Sequence, residues 1–237
     1  MMNAAVKRIL GSRPLAPARR LRRQIRRRFG LLDRDIAYRY LAQSKEPKLH
    51  IGCGQHVLPD WLNTDRSPNS VEIMHIDATR PLAFKAETFD FVFTEHLIEH
   101  LPYRTGLELL AECRRVLKPA GKIRISTPNL AFLIDLARAD KSDLQREYIK
   151  WACRTFVPGA PEDNETFAIN NFVRGWGHTF IYDEKTLSRA MKEAGFKEVI
   201  KFDLQQSGDV ALRNLENEGR MPPGFLALET LTLEGGK

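Results

Sequence analysis

With 237 residues, 43% of them hydrophobic, the chain has enough apolar surface for one well-buried domain, and no run of about 18 apolar residues exists to span a bilayer. Cys53, Cys113 and Cys153 are odd in number and widely spaced, which argues against a disulfide framework and a Cys-x-x-Cys zinc module and fits a reducing, cytoplasmic setting. The net charge of +7 is local: residues 1–48 hold 14 Lys and Arg against 3 acids, a balance of +11, and the remaining residues hold 23 against 27, a balance of −4.

The basic stretch centres on Arg19 to Arg28, where Ala18, Leu21, Ile25, Phe29 and Leu32 recur at helical spacing and the arginines take the other faces. Pro17 suits the first turn of such a helix and Gly30 its end. The opening residues lack the 7–15-residue apolar core of a secretory signal. Residues 1–33 are therefore read as a basic amphipathic arm and 34–237 as the domain. Three uses of the arm stand side by side: peripheral contact with anionic lipid at the inner face of the membrane, contact with nucleic acid, or a solvated face whose apolar stripe packs on the domain. Nucleic acid is the least favoured, because no aromatic platform accompanies the arginines.

In chain order, Arg34 to Gln43 reads as a helix leading into a short strand at Leu49 and Ile51, which breaks at Gly52-Cys53-Gly54. A second strand, Trp61 to Thr64, runs into Asp65, eleven residues past Gly54. Glycine lets a ligand approach the backbone, and a carboxylate so placed accepts hydrogen bonds from a ribose diol; the same pair also occurs as a plain tight turn. Only six residues separate Gly54 from Trp61, too few for a normal crossover, so a helix of about one turn is expected there. A third strand, Val71 to Ile76, ends in Asp77-Ala78, and a fourth, Phe89 to Thr94, is apolar enough to be buried on both faces.

Arg104 to Leu117 keeps Leu107, Leu110, Ala111 and Leu117 on one helical face and is stopped by Lys118, Pro119 and Gly121 before a strand at Lys122 to Ser126. Asp183 caps a helix carrying Leu187, Ala190, Met191 and Ala194, with Gly195 just past it and a strand at Glu198 to Phe202. The alternation in Phe225 to Leu233 predicts an antiparallel last strand. Residues 129–180 break this rhythm with two helical pieces, Leu130 to Arg138 and Ser142 to Cys153, then a loop; long irregular segments of this kind are usually lids. Its aromatics Trp151, Phe156, Phe167, Phe172 and Trp176 either wall an apolar substrate or pack the lid onto the sheet.

The order of HIGCG, Asp65, IDA at Ile76 to Ala78, FDFVFTEHLIEHL, LKPAGKIRIS and GHTFIYDEKTLSRAMKEAGFKEV resembles the class I methyltransferases that use S-adenosylmethionine, specifically the type 11 methyltransferase domains, over Lys48 to Phe202. That resemblance implies an α/β fold, a Rossmann-like mixed seven-stranded sheet with a helical lid. It implies S-adenosyl-L-methionine as cofactor, with Gly52, Cys53 and Gly54 against its amino-acid end, Asp65 on the ribose, Asp77 and Ala78 at the adenine, and Thr94, Glu95 and His96 flanking the sulfonium. Where that family has an acid this chain has His50, and where it has a third glycine it has His56. The acceptor is expected to be a small molecule or an envelope glycan or lipid precursor.

Methyl transfer asks for alignment, with a base only if the acceptor is protonated. Candidate bases are His96, His100 and His178, the last two taken as catalytic. His96-Leu97-Ile98-Glu99-His100 also matches the inverted zinc-protease spacing, which on a helix puts both histidines on one face, so a zinc-dependent hydrolase is an alternative. Some quinone-biosynthesis O-methyltransferases bind magnesium through a Glu-x-x-Glu-His at the similar place; here His96 replaces the first glutamate, and no metal is assigned. A non-catalytic Rossmann-like module tethered by its arm is the remaining alternative.

Overall fold

The computed structural model describes residues 31–237, so the basic arm, apart from its last three positions, lies outside the described residues. Seven strands form one sheet: β1 (Lys48–Ile51), β2 (Leu62–Asp65), β3 (Met74–His75), β4 (Phe89–Glu95), β5 (Leu117–Pro128), β6 (Lys197–Phe202) and β7 (Thr230–Gly236). Their order is β3-β2-β1-β4-β5-β7-β6. The first five run parallel, and β7 runs antiparallel to both β5 and β6. The mixed seven-stranded α/β sheet expected from the sequence is thus present. Its order reverses between β1 and β4, and in open α/β sheets ligands bind in the crevice at such a switch point.

Burial explains the strands. Every residue of β4 except Asp90 is buried, as a central parallel strand requires. The helix α2 (Tyr103–Val116) buries Gly106, Leu109, Leu110, Cys113 and Val116, a helical stripe that packs on the sheet beside α6 (Glu184–Glu193). Asp183 caps α6 by accepting from the Thr186 amide at 2.7 Å. The first helix, α1 (Leu31–Gln43), contacts β3 and accepts the His75 amide on the Asp33 carboxylate at 2.8 Å.

Four expectations are corrected. No helix forms between β1 and β2; turns suffice, because the Thr64 carbonyl accepts from both the Gly52 and Cys53 amides at 2.9 Å and pulls the glycine turn onto the end of β2. The third strand shrinks to Met74–His75, since Val71 and Glu72 are exposed and the Glu72 amide turns to the Ser70 hydroxyl. Phe225–Glu229 is a helix, α7, whose buried Phe225, Leu226 and Glu229 share a helical face; Gly224, at φ +83°, makes the bend before it. The loop of the insertion contains a further helix, α5 (Glu165–Arg174), capped by the Asn164 side chain.

With α3 (Leu130–Leu136) and α4 (Asp143–Phe156), α5 gives the insertion a core of its own, in which Phe132, Leu136, Tyr148, Ile149 and Phe172 are buried with Phe225. Ser142 and Gln145 start α4 with a reciprocal capping box. On the sheet itself Arg124 is wholly buried, its Nε donating to Glu216 and its Nη1 to Glu234, both at 2.6 Å, and also to the Gln206 carbonyl. That network ties residues 205–217 to β5 and β7. Among the described residues no helix is long and apolar enough to cross a membrane.

Candidate functional site

Two cavities open at the carboxyl ends of the parallel strands and meet at His96 and His100, which line both. The first, about 280 Å³, is bounded by Gly52 after β1, Asp65 at the end of β2, Asp77 and Ala78 after β3, and His96 after β4. Gly52 stands at φ +76°, and a Cβ there would come within 2.6 Å of Leu97 Cδ1, so both backbone angle and space demand glycine. The Asp65 carboxylate is clamped: Oδ2 accepts from the Gly54 amide at 2.9 Å and Oδ1 from the Ser67 amide at 2.6 Å. Asp77 accepts from the hydroxyl and amide of Thr79, which hold its carboxyl below the usual range.

Of the other residues expected beside a cofactor, Cys53, Gly54, Thr94 and Glu95 do not line this cavity, while His96 does. Cys53 is buried, and burial pushes its thiol up to about 11; Gly54 contributes the amide that fixes Asp65. Thr94 is buried, with an Oγ1 that has no hydrogen-bond partner. Glu95, its carboxyl raised by burial, turns toward the C-terminal segment and accepts the Asn217 amide at 3.2 Å. His96 is held in the left-handed region at φ +47°, and burial keeps its imidazole well below the ordinary histidine range.

The second cavity, about 310 Å³, has walls of Tyr148, Trp151, Phe156, Phe172 and Trp176. Its polar groups are Glu99, His100, His178, Arg220 and Glu229. The Tyr148 hydroxyl donates to Glu229 at 2.5 Å, and burial raises that carboxyl to about 7. Glu99 is wholly buried; Oε2 accepts from Thr127 at 3.0 Å, Oε1 has no hydrogen-bond partner, and burial pushes the group up to about 8. His100 and His178 lie with ring centres 5.0 Å apart, and burial lowers both from the ordinary histidine value.

The spacing in His96–His100 does not produce the expected metal-binding helix face. Only a single 3₁₀ turn, Ile98–His100, forms, and it begins after His96. Glu99 and His100 are met instead by His178, because the Thr179 and Phe180 amides donate to the Glu99 carbonyl at 2.8 and 3.1 Å. Sequence reasoning singled out each histidine but not this union. It also missed Tyr148, Arg220 and Glu229, for which no motif signals the role; only the aromatic enrichment of the insertion pointed here.

The family described as a methyltransferase domain matches residues 19–201. The chain belongs to that family: it is a class I methyltransferase, an enzyme whose cofactor is S-adenosylmethionine. No curated protein matches it. Among solved structures it is similar to an S-adenosylmethionine-dependent methyltransferase from Archaeoglobus fulgidus, with 16% identity, 92% of this chain and 94% of that one covered, and a TM-score of 0.48. It is similar to one from Thermotoga maritima (16% identity, 90% and 95% covered, TM-score 0.47) and one from Mesorhizobium loti (17%, 87% and 100%, 0.44).

Proposed function

We propose that this enzyme transfers a methyl group from S-adenosylmethionine to a small-molecule acceptor lodged in the aromatic cavity, with the cofactor in the cavity bounded by Asp65 and Asp77. The observation that carries the reading is that His96 and His100 line both cavities, so that donor and acceptor would lie against the same two side chains. In this reading Gly52 admits the amino-acid end, Asp65 accepts from the ribose hydroxyls, Asp77 and Ala78 face the adenine, and His96 adjoins the sulfonium. Cys53, Gly54, Thr94 and Glu95 act behind that surface, Gly54 by aiming Asp65. When bound, the cofactor supplies an electrophilic methyl carbon with its leaving group built in.

The insertion at 129–180 serves as the lid over the acceptor. A space of about 310 Å³ is at the small end of ligand sites, which favours a compact, largely apolar molecule over a glycan or lipid precursor. His100 and His178, both held below the ordinary histidine value, are neutral at pH 7 and available to take an acceptor proton. The test is calorimetry with S-adenosylhomocysteine on the full chain. Micromolar binding is expected, weakened about 10- to 150-fold in Asp65→Ala, the equivalent of one charged hydrogen bond of about 1.5–3 kcal/mol. No heat at millimolar ligand overturns the reading.

A further inference from the structure

Glu99, His100 and His178 bring one donor atom each to within 4.8 Å of the others, on the wall of the acceptor cavity. Two features separate this group from an ordinary polar cluster. The first is the orphaned Oε1 of Glu99. The side chain is wholly buried, yet this oxygen has no hydrogen-bond partner, and the nearest ring nitrogens stand off at 3.5 Å (His96 Nδ1) and 3.8 Å (His100 Nε2). A buried carboxyl oxygen left without a partner is costly in either protonation state, and a cation between it and the rings removes the cost.

The second feature is how the rings are held. His178 Nδ1 lies 2.6 Å from the Phe172 carbonyl oxygen, so it must carry the proton and leave Nε2 with a bare lone pair. The His100 ring lies with its Nδ1 on the Gly177 side and its Nε2 3.8 Å from Glu99 Oε1. A backbone carbonyl on one ring nitrogen, fixing the tautomer and offering the other nitrogen, is how proteins orient metal-binding histidines.

We propose that Glu99, His100 and His178 form a site for a divalent first-row transition ion, with its open position facing the acceptor cavity. Two imidazoles and one carboxylate are a zinc ligand set that leaves a fourth place free, and with one oxygen among three donors the set suits magnesium or calcium poorly. Bonds of about 2.1 Å set donors about 3.4 Å apart in a tetrahedral site, so from within 4.8 Å the widest pair must close by up to about 1.4 Å. His178, in the loop after α5 and next to Gly177 at φ +78°, is placed to supply the movement.

What the ion does rests on the methyl-transfer reading. With the ion bound, His100 and His178 are ligands and no longer bases: the ion binds the acceptor as an alkoxide or phenolate, the hydroxyl proton having gone to solvent. The oxygen lone pair forms the new C–O bond as the methyl–sulfur bond breaks, leaving a methyl ether and the neutral thioether. The acceptor class is thus a hydroxyl-bearing compact molecule, a phenol above all, whose ring the aromatic walls would flank.

The experiment takes the full chain, stripped with a chelator, and titrates it with Co²⁺ alone, read by visible absorption and equilibrium dialysis, with S-adenosylhomocysteine calorimetry in parallel. One Co²⁺ per chain, displaced by Zn²⁺, is expected. His178→Gln should weaken it at least about tenfold and leave S-adenosylhomocysteine affinity within about twofold. If His178→Gln fails to fold, the isosteric Glu99→Gln carries the same readout. Co²⁺ that dialyses away from the wild-type chain, or that binds His178→Gln equally well, overturns the site even where the nucleoside binds. Co²⁺ bound through His178 with no nucleoside binding upholds the site and discards the methyl-transfer reading alone.

Discussion

The two cavities share His96 and His100 but are built in opposite ways. The first is drawn entirely from residues 51–101, the ends of four adjacent parallel strands, and its decisive groups are held by backbone: two amides clamp Asp65, and Thr79 clamps Asp77. The second is assembled from the turn at Glu99, the three-helix insertion and the segment around Arg220 and Glu229, segments far apart in the chain that meet only in the folded packing. Sheet topology dictates the one. Tertiary packing dictates the other, which leaves the second cavity free to vary without disturbing the first.

That difference can be broken first at Arg124. Its guanidinium fastens the segment at 205–217, which leads straight to Arg220 and the acceptor cavity. Arg124→Met leaves Glu216 and Glu234 buried without their cation and should cost about 3–5 kcal/mol in urea unfolding. Amide exchange should rise first across residues 205–221 while β1 and β2 stay protected. A loss below about 1 kcal/mol, or uniform deprotection, would show that the strap needs no such anchor.

A slightly smaller effect sharpens the strand side of the comparison through pH. Burial holds His50, packed on Phe93 and bonded to Asn63, at about 4 against an ordinary 6.5. The unfolded chain takes up its proton near 6.5 and the folded chain only near 4, so stability is full above that window and falls as pH drops through it. The total is about 3 kcal/mol. His50→Phe should flatten this limb of the urea-midpoint curve; parallel wild-type and variant curves would mean that another group carries it.

The smallest change separates the cavities directly. Gly52→Ala forces a left-handed angle on alanine and a 2.6 Å approach to Leu97, at a cost of about 1–2 kcal/mol. S-adenosylhomocysteine affinity should fall while Co²⁺ uptake at the acceptor cavity holds. Loss of both together would mean that the two cavities are one mechanical unit.

The same contrast governs what could be read from the sequence. That Gly52, Asp65, Asp77 and Ala78 come together on one cavity is legible because each follows a strand whose apolar run announces it, and the parallel order fixes where the ends meet. The crossover was misjudged because two hydrogen bonds to the Thr64 carbonyl replace the helix that spacing seemed to require. Phe225–Glu229 mimicked strand alternation, but its buried positions follow a helical face. The stretch after Cys153 reads as a loop, yet the Asn164 cap and the buried Ala168 and Phe172 carry α5 through it. The approach of His178 to Glu99 depends on amides 80 residues away in the chain, as the Thr179 hydroxyl contact with the Glu99 carbonyl illustrates. No local pattern encodes such a meeting.

Cys53 sits in the middle of the glycine turn, buried and with its thiol near 11, so in the closed state it is shielded from alkylating reagents and almost wholly protonated at neutral pH. A labelling rate measured at this one sulfur therefore times the spontaneous opening of the bend. Added nucleoside should slow the clock in proportion to occupancy, giving the enzyme a native chemical stopwatch that needs no engineered probe.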